Sequence, residues 1–336
     1  DIIICRSEMP LNRELKDKIA ASCGVEKNCV IESLDSASIY QIPLSFLKQD
    51  ILTPIAENLG FGELKPDMAN WDSLVRIIAP TNETTIAFVG KYIDLKESYK
   101  SLTEGIIHAG ANLDARVNLR WIDSEKIEES NVNELLKDVD GILVAGGFGE
   151  RGVLGKMQAI KFARINKIPY LGICLGMQLA MIEFARDVLN LEDANSIEFD
   201  AKCKNPIIYL IDSFIDVSGK KQIRTHKSPL GGTMRLGAYE CDIKANSLLS
   251  KIYGGAKKIK ERHRHRYEAN PKYRAEFEKA GLIVSGESDG LIEAIELKDH
   301  PWFVGVQCHP EFTSRLTRPN PTILGFIRAS IANHVK

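Results

Sequence analysis

Gly172-Ile173-Cys174-Leu175-Gly176 lies between an apolar run, 168–173, and a helical one, 177–189. A strand that turns through a glycine-flanked nucleophile into a helix leaves few folds open. The reacting side chain sits on a sharp turn where a Cβ on either neighbour crowds the backbone, and glycine relieves that crowding. The helix that starts there aims free N–H groups and its positive dipole end at the sulfur, which favours thiolate. Such a turn needs a sheet to stand on and a helix to cover it.

The surrounding chain supplies both. Strand-like segments at 85–89, 116–121, 141–145 and 168–173 alternate with helical ones at 98–109, 132–137 and 156–166. That alternation predicts an α/β fold with a parallel sheet and helices on both faces. Reactive groups are then expected at the carboxyl ends of the strands. Later segments at 206–211, 233–236, 282–285, 291–297 and 302–306 read as strands without matching helices, and are expected to form an antiparallel extension. A last helix is expected over 321–333.

Before this region, residues 1–62 read as a strand at 2–5, a helix at 12–22, a short strand at 28–32 and a helix at 43–59. Asn12 is expected to cap the first helix, with Leu15, Ile19 and Ala20 as its apolar face. The spacing predicts one more helix over 67–78, and Ala79-Pro80-Thr81-Asn82-Glu83 reads as a connecting stretch. The division expected is 1–62, a linker over 63–84, and 85–336. Residue 1 is Asp and leads straight into an apolar run, so the chain is expected to begin part-way through a domain.

Net charge is −1, which gives no reason to expect nucleic acid or an anionic membrane as partner. The cysteines number seven, an odd count at irregular spacing without Cys-x-x-Cys. That pattern points to neither zinc nor a disulfide framework, and to a reducing cytoplasm. No apolar run reaches membrane-spanning length.

A second chemical signal is His309-Pro310-Glu311, directly after the apolar run at 302–306. Cys174 alone reads equally as a buried structural thiol. With a histidine and a carboxylate at another strand end, it reads as a Cys-His-Glu hydrolase or acyl-transfer site. His309 is then the proton carrier, and Glu311 orients the imidazole. Gly146-Gly147-Phe148-Gly149-Glu150-Arg151-Gly152 contains G-x-G-x-x-G, yet the next strand ends in Cys174 rather than in the acidic residue that a dinucleotide site needs. A glycine turn presenting an N–H to an oxyanion is the better reading. Arg262-His263-Arg264-His265-Arg266-Tyr267 is either a solvated strand edge or a source of an arginine for a substrate carboxylate. The glycine-rich stretch 227–237 is either an ordinary loop or a lid.

Taken together, the elbow, the Gly146–Gly152 loop and His309/Glu311 resemble the class I (triad) glutamine amidotransferases. Further segments narrow the resemblance to the CTP synthases: Val89-Gly-Lys-Tyr92, Tyr170 through Gln178, Gly231-Gly-Thr-Met-Arg-Leu-Gly237, Glu261 through Tyr267 and His309 through Ser314. The resemblance implies a class I amidotransferase domain over 85–336, preceded by the tail of a P-loop-like α/β synthetase domain. It implies ammonia release from L-glutamine, and amination of UTP to CTP with ATP and magnesium in the complete enzyme.

By the same resemblance, Cys174, His309 and Glu311 are catalytic. Gly147 and Leu175 supply oxyanion N–H groups. Gly176, Met177, Gln178, Glu198 and Arg264 bind glutamine, with Glu198 on its ammonium and Arg264 on its carboxylate. Lys18, Leu34, Asp35 and Ser36 match nucleotide-binding positions, Leu34 standing where some relatives have lysine. GTP, an allosteric activator, is implied near Lys91, Phe148, Arg151, Arg235 and the 231–237 stretch. No cofactor or metal is implied for the glutaminase domain. A homotetramer is implied for the complete protein, and a monomer or weak dimer for this chain. The alternatives are another triad hydrolase, such as a γ-glutamyl hydrolase, and a non-catalytic assembly or regulatory module.

Overall fold

A computed structural model describes every residue except 76–79, 92, 212, 224–233 and 336. The chain divides into two compact units, Asp1–Ile78 and Ala79–Lys336.

In the first unit, β1 (Ile3–Ser7) pairs in parallel with β2 (Val30–Leu34). A parallel pair needs a crossover, and the helix Arg13–Cys23 provides it. The Asn12 side chain accepts from the Leu15 N–H, and Gly24 closes the other end in the left-handed region. The buried face of this helix is narrower than the periodicity predicts: Ala20 is buried, but Leu15 is exposed. Helices Ile42–Lys48, Leu52–Leu59 and Ala69–Val75 follow. The last lies within the stretch read as a linker, and the Trp71 indole N–H ties it back to the Tyr40 carbonyl.

The second unit is built on β3 (Asn82–Gly90), β4 (Ala115–Asp123), β5 (Gly141–Val144) and β6 (Tyr170–Ile173). They lie in the order β4-β3-β5-β6, all parallel. Alternate side chains feed two cores. Ala87, Val89, Ile142 and Val144 face one, and Ile86, Phe88, Leu143 and Leu171 face the other. Burial on both faces is why these strands read as continuous apolar runs. Helices Val153–Asn166 and Leu175–Asp187 cover the first side, and Lys100–Asn112 and Pro321–His334 the second.

The later strands are β7 (Ala194–Ser196), β8 (Asn205–Tyr209), β9 (Ser213–Ile215), β10 (Lys221–Ile223), β11 (Arg235–Ile243), β12 (Lys258–His265), β13 (Glu268–Ala269), β14 (Leu282–Ser288), β15 (Leu291–Leu297) and β16 (Phe303–Val306). β12-β11-β14-β15-β16 run antiparallel to one another, as expected for the extension. One expectation changes. β16 was assigned to the extension alone, but it also pairs in parallel with β6, Val306 opposite Ile173. It therefore belongs to the parallel core and carries the residues after it to the carboxyl end of β6.

Candidate active site

Cys174 stands at the end of β6 as the residue before the helix Leu175–Asp187, with φ 52° and ψ −102°. A non-glycine residue held at positive φ costs free energy and persists only where its surroundings enforce it. Here the Cys174 N–H donates to the Val306 carbonyl at 2.7 Å, and its own carbonyl accepts from the Gln178 N–H at 3.2 Å. The flanking glycines are required by contact. A Cβ at Gly176 would stand 2.3 Å from the Val144 carbonyl oxygen, and one at Gly172 would stand 2.8 Å from the Gly176 backbone.

β16 delivers the partner. The His309 N–H donates to the Arg262 carbonyl at 2.7 Å, which fixes the turn that follows β16 against β12. His309 Nδ1 lies 2.7 Å from Glu311 Oε1, and the imidazole and the Cys174 side chain line the same cavity wall beside Gly146. Burial lowers the affinity of the imidazole for its proton, but the Cys174 and Glu311 contacts outweigh it and raise its pKa to about 10. Near neutral pH the ring is therefore an imidazolium. A cavity of about 380 Å³ opens over these groups, lined by Gly146, Gly147, Phe148, Cys174, Arg264, His309 and Glu311 among others. A Cβ at Gly146 would stand 3.2 Å from His309 Cε1 and 3.5 Å from Cys174 Cβ. That position must stay bare for the two to meet.

The remaining predicted residues divide. Gly147 and Arg264 line the cavity, and Leu175 starts the helix at its floor. Glu198 Oε1 accepts the Gly149 N–H at 2.8 Å, so this carboxylate also braces the glycine loop. Burial raises its pKa, against that hydrogen bond and the charges of Lys91 and Arg266. Met177 is fully buried, and its side chain packs against Gly305. The Gln178 side chain likewise points inward. Its Nε2 donates to the Tyr267 carbonyl and to Gln307 Oε1. Gly176 lies under Val144.

Among the effector candidates, Lys91 Nζ donates to the Phe148 carbonyl at 2.9 Å, and Arg151 pairs with Glu125. Arg235 is corrected. Its guanidinium is sealed in the interior between Glu268 and Glu293, so its side chain is not available to an effector. Residues 224–233, most of the proposed lid, lie outside the described residues. In the first unit Lys18 pairs with Glu14, Asp35 with Arg6, and the Ser36 hydroxyl donates to the Leu34 carbonyl.

Sequence reasoning missed three neighbours. Gln307 donates to Cys174 Sγ at 3.5 Å; its place just after a parallel strand was the available signal. Glu261 accepts from Thr313 and Asn320, clamping the turn that holds Glu311. Lys156 is buried, with Nζ 3.1 Å from the Ala145 carbonyl; only the fold brings it there. Among the described residues no cluster of His, Cys, Asp and Glu could hold a metal ion, and no helix is long and apolar enough to cross a membrane. The seven cysteines are all free.

The glutamine amidotransferase class-I family matches residues 94–329, and the CTP synthase N-terminus family matches residues 1–61. A solved structure of the Trypanosoma brucei CTPS glutaminase domain with bound acivicin superposes with a TM-score of 0.66 at 38% identity. The match covers 74% of this chain and 93% of that one. The chain belongs to the CTP synthase family of class-I glutamine amidotransferases. CTP synthase from Campylobacter jejuni is 73% identical over 332 residues, and that from Sulfurimonas denitrificans 62%. Each alignment covers 98% of this chain. The chain spans 61% of the length of these curated relatives. The fold and the order of the two CTP synthase segments agree with the resemblance read from the sequence.

Proposed function

We propose that the second unit hydrolyses L-glutamine at Cys174 and releases ammonia. The observation that supports this most is the Cys174 backbone held at positive φ, with its side chain beside an imidazole that Glu311 orients. Arg264 takes the glutamine α-carboxylate and Glu198 its ammonium. The thiolate attacks the side-chain amide carbon, and the Gly147 and Leu175 N–H groups hold the resulting oxyanion. The His309 imidazolium gives its proton to the nitrogen, and ammonia leaves as the C–N bond breaks. Water then loses a proton to His309 and attacks the γ-glutamyl thioester. Glutamate departs, and the sulfur returns as thiolate.

The ammonia serves, in our reading, the amination of UTP to CTP with ATP, in a complete protein that is cytoplasmic and homotetrameric. GTP acts there as activator near Lys91, Phe148 and Arg151. Lys18, Leu34, Asp35 and Ser36 are assigned to nucleotide binding in the first unit. The magnesium of that reaction finds no acidic cluster among the described residues, so no step is assigned to it here.

Cys174→Ala is expected to abolish glutamate release, and retained turnover would overturn the assignment. A thiol-directed glutamine analogue is expected to label Cys174, with L-glutamine protecting it. Labelling that glutamine does not slow would favour another triad hydrolase.

A further inference from the structure

Among the described residues, Lys156 is the one lysine at 1% exposure. Its Nζ donates to the Ala145 carbonyl at 3.1 Å. No carboxylate of the described residues lies within ion-pair distance of it. A buried ammonium held only by a carbonyl is costly, and such cations are ordinarily paired. The contrast with Arg235, equally buried but set between Glu268 and Glu293, is direct.

The position of Lys156 supplies the reason. Ala145 follows β5 and leads into Gly146 and Gly147, the backbone on the cavity wall. A Cβ at Gly147 would stand 3.6 Å from Lys156 Nζ and 3.7 Å from Leu175 Cδ2. The ammonium thus sits behind the proposed oxyanion donors. The charged groups that act on it are Lys91, which disfavours its proton, and Cys174, which favours it. Burial, first, and Lys91 together lower its pKa to about 8, so it remains largely protonated near neutral pH.

We propose that Lys156 is a positioning residue of the glutamine-hydrolysing site: it pins the Ala145 carbonyl, which orients the Gly146–Gly147 backbone, and it supplies the buried positive charge answered by the anion at Cys174. The inference rests on Cys174 being the nucleophile. It has no carboxylate partner among the described residues because the charges it answers are the Cys174 sulfur and the tetrahedral oxyanion.

The test uses Lys156→Gln, Lys156→Met and Lys156→Arg in the whole chain. Three quantities are measured: iodoacetamide alkylation of Cys174 at pH 7, kcat and KM for glutamate release, and Tm. Cys174→Ala gives the alkylation background. Gln and Met are expected to slow alkylation about tenfold. They are expected to lower kcat roughly 10- to 100-fold, with KM within about threefold. Tm is expected to hold or rise in both, since each removes a buried charge that no carboxylate pairs. Arg, which keeps the charge, is expected to restore alkylation to within a few-fold of the parent.

A Gln variant with parent-like alkylation and kcat overturns the proposal. So does a loss of kcat that tracks a fall in Tm while alkylation is unchanged, because that marks packing alone. If the Met variant does not fold, the Gln and Arg variants decide. Alkylation needs no glutamine, so its outcome stands apart from failure of the glutaminase reading, which Cys174→Ala reports.

Discussion

His309 and His263 are both largely buried, yet their pKa values move in opposite directions. His309 has a thiol and a carboxylate in contact and is raised to about 10. His263 is lowered well below its ordinary 6.5 by burial, then by His265, Arg235 and His309. Its nearest carboxylate oxygen, on Glu293, is 3.6 Å from Nδ1, too long for a hydrogen bond. Burial alone therefore does not set the charge of a histidine here; the partners do. The same division runs through the surroundings. The His309 region has a cavity and a strained nucleophile. The His263 region is sealed, and its Arg235 is saturated by two carboxylates. One network is arranged for chemistry and the other for holding β11, β12 and β15 together.

Substitutions can break that division. The largest effect expected is on activity. His309→Asn should lower glutamine hydrolysis by about 10³-fold or more while the chain still folds, with Tm lowered most at neutral and lower pH, where His309 stabilises the fold. Assay of glutamate release with a parallel melt checks it, and a variant that loses fold and activity together would erase the contrast. Arg235→Met should do the reverse. It removes the guanidinium that buried Glu268 and Glu293 share and should cost about 3–5 kcal/mol in urea unfolding. A loss under about 1 kcal/mol would mean that the sealed network is not structural.

The pH dependence sharpens the comparison. Because the folded pKa of His309 exceeds 6.5, its stabilisation is full below 6.5 and is lost as pH rises towards about 10. His263 is depressed, so its contribution is lost as pH falls below 6.5. Each limb has a slope of at most roughly 1.4 kcal/mol per pH unit. Cys174→Ala should flatten the alkaline limb and leave the acid limb, as read from unfolding midpoints across pH. An alkaline limb unchanged in that variant would remove the sulfur from the account of His309.

The smallest effect belongs to the hinge between the regions. Thr313 donates to Glu261 at 2.7 Å, two residues beyond Glu311. Thr313→Val should cost about 1 kcal/mol and lower kcat a few-fold with KM unchanged. A change confined to KM would show that the clamp serves substrate binding instead.

The elbow was legible because its chemistry is contiguous. Glycine, cysteine and glycine stand in one pentapeptide, between a strand pattern and a helix pattern. The parallel sheet was equally available, since strands buried on both faces leave unbroken apolar runs, but its order β4-β3-β5-β6 was not. The side-chain directions of Met177 and Gln178 were not legible: both stand next to the nucleophile in sequence, yet both side chains are buried. Arg235 was misjudged because a sequence shows a charge but not its distant partners, which lie 33 and 58 residues away.

What the residues determined by themselves was local: which segments are strands, where the strained turn falls, and which side chains can carry a proton. Periodicity and steric demand act over a few neighbours, so a linear sequence records them. Only the tertiary structure decided that β16 lies parallel to β6, which brings His309 to Cys174. Only it set Lys156 behind the glycine loop and closed Arg235 between two carboxylates. Those outcomes depend on desolvation and on charges meeting across long sequence separations, and neither is fixed until the sheet has assembled.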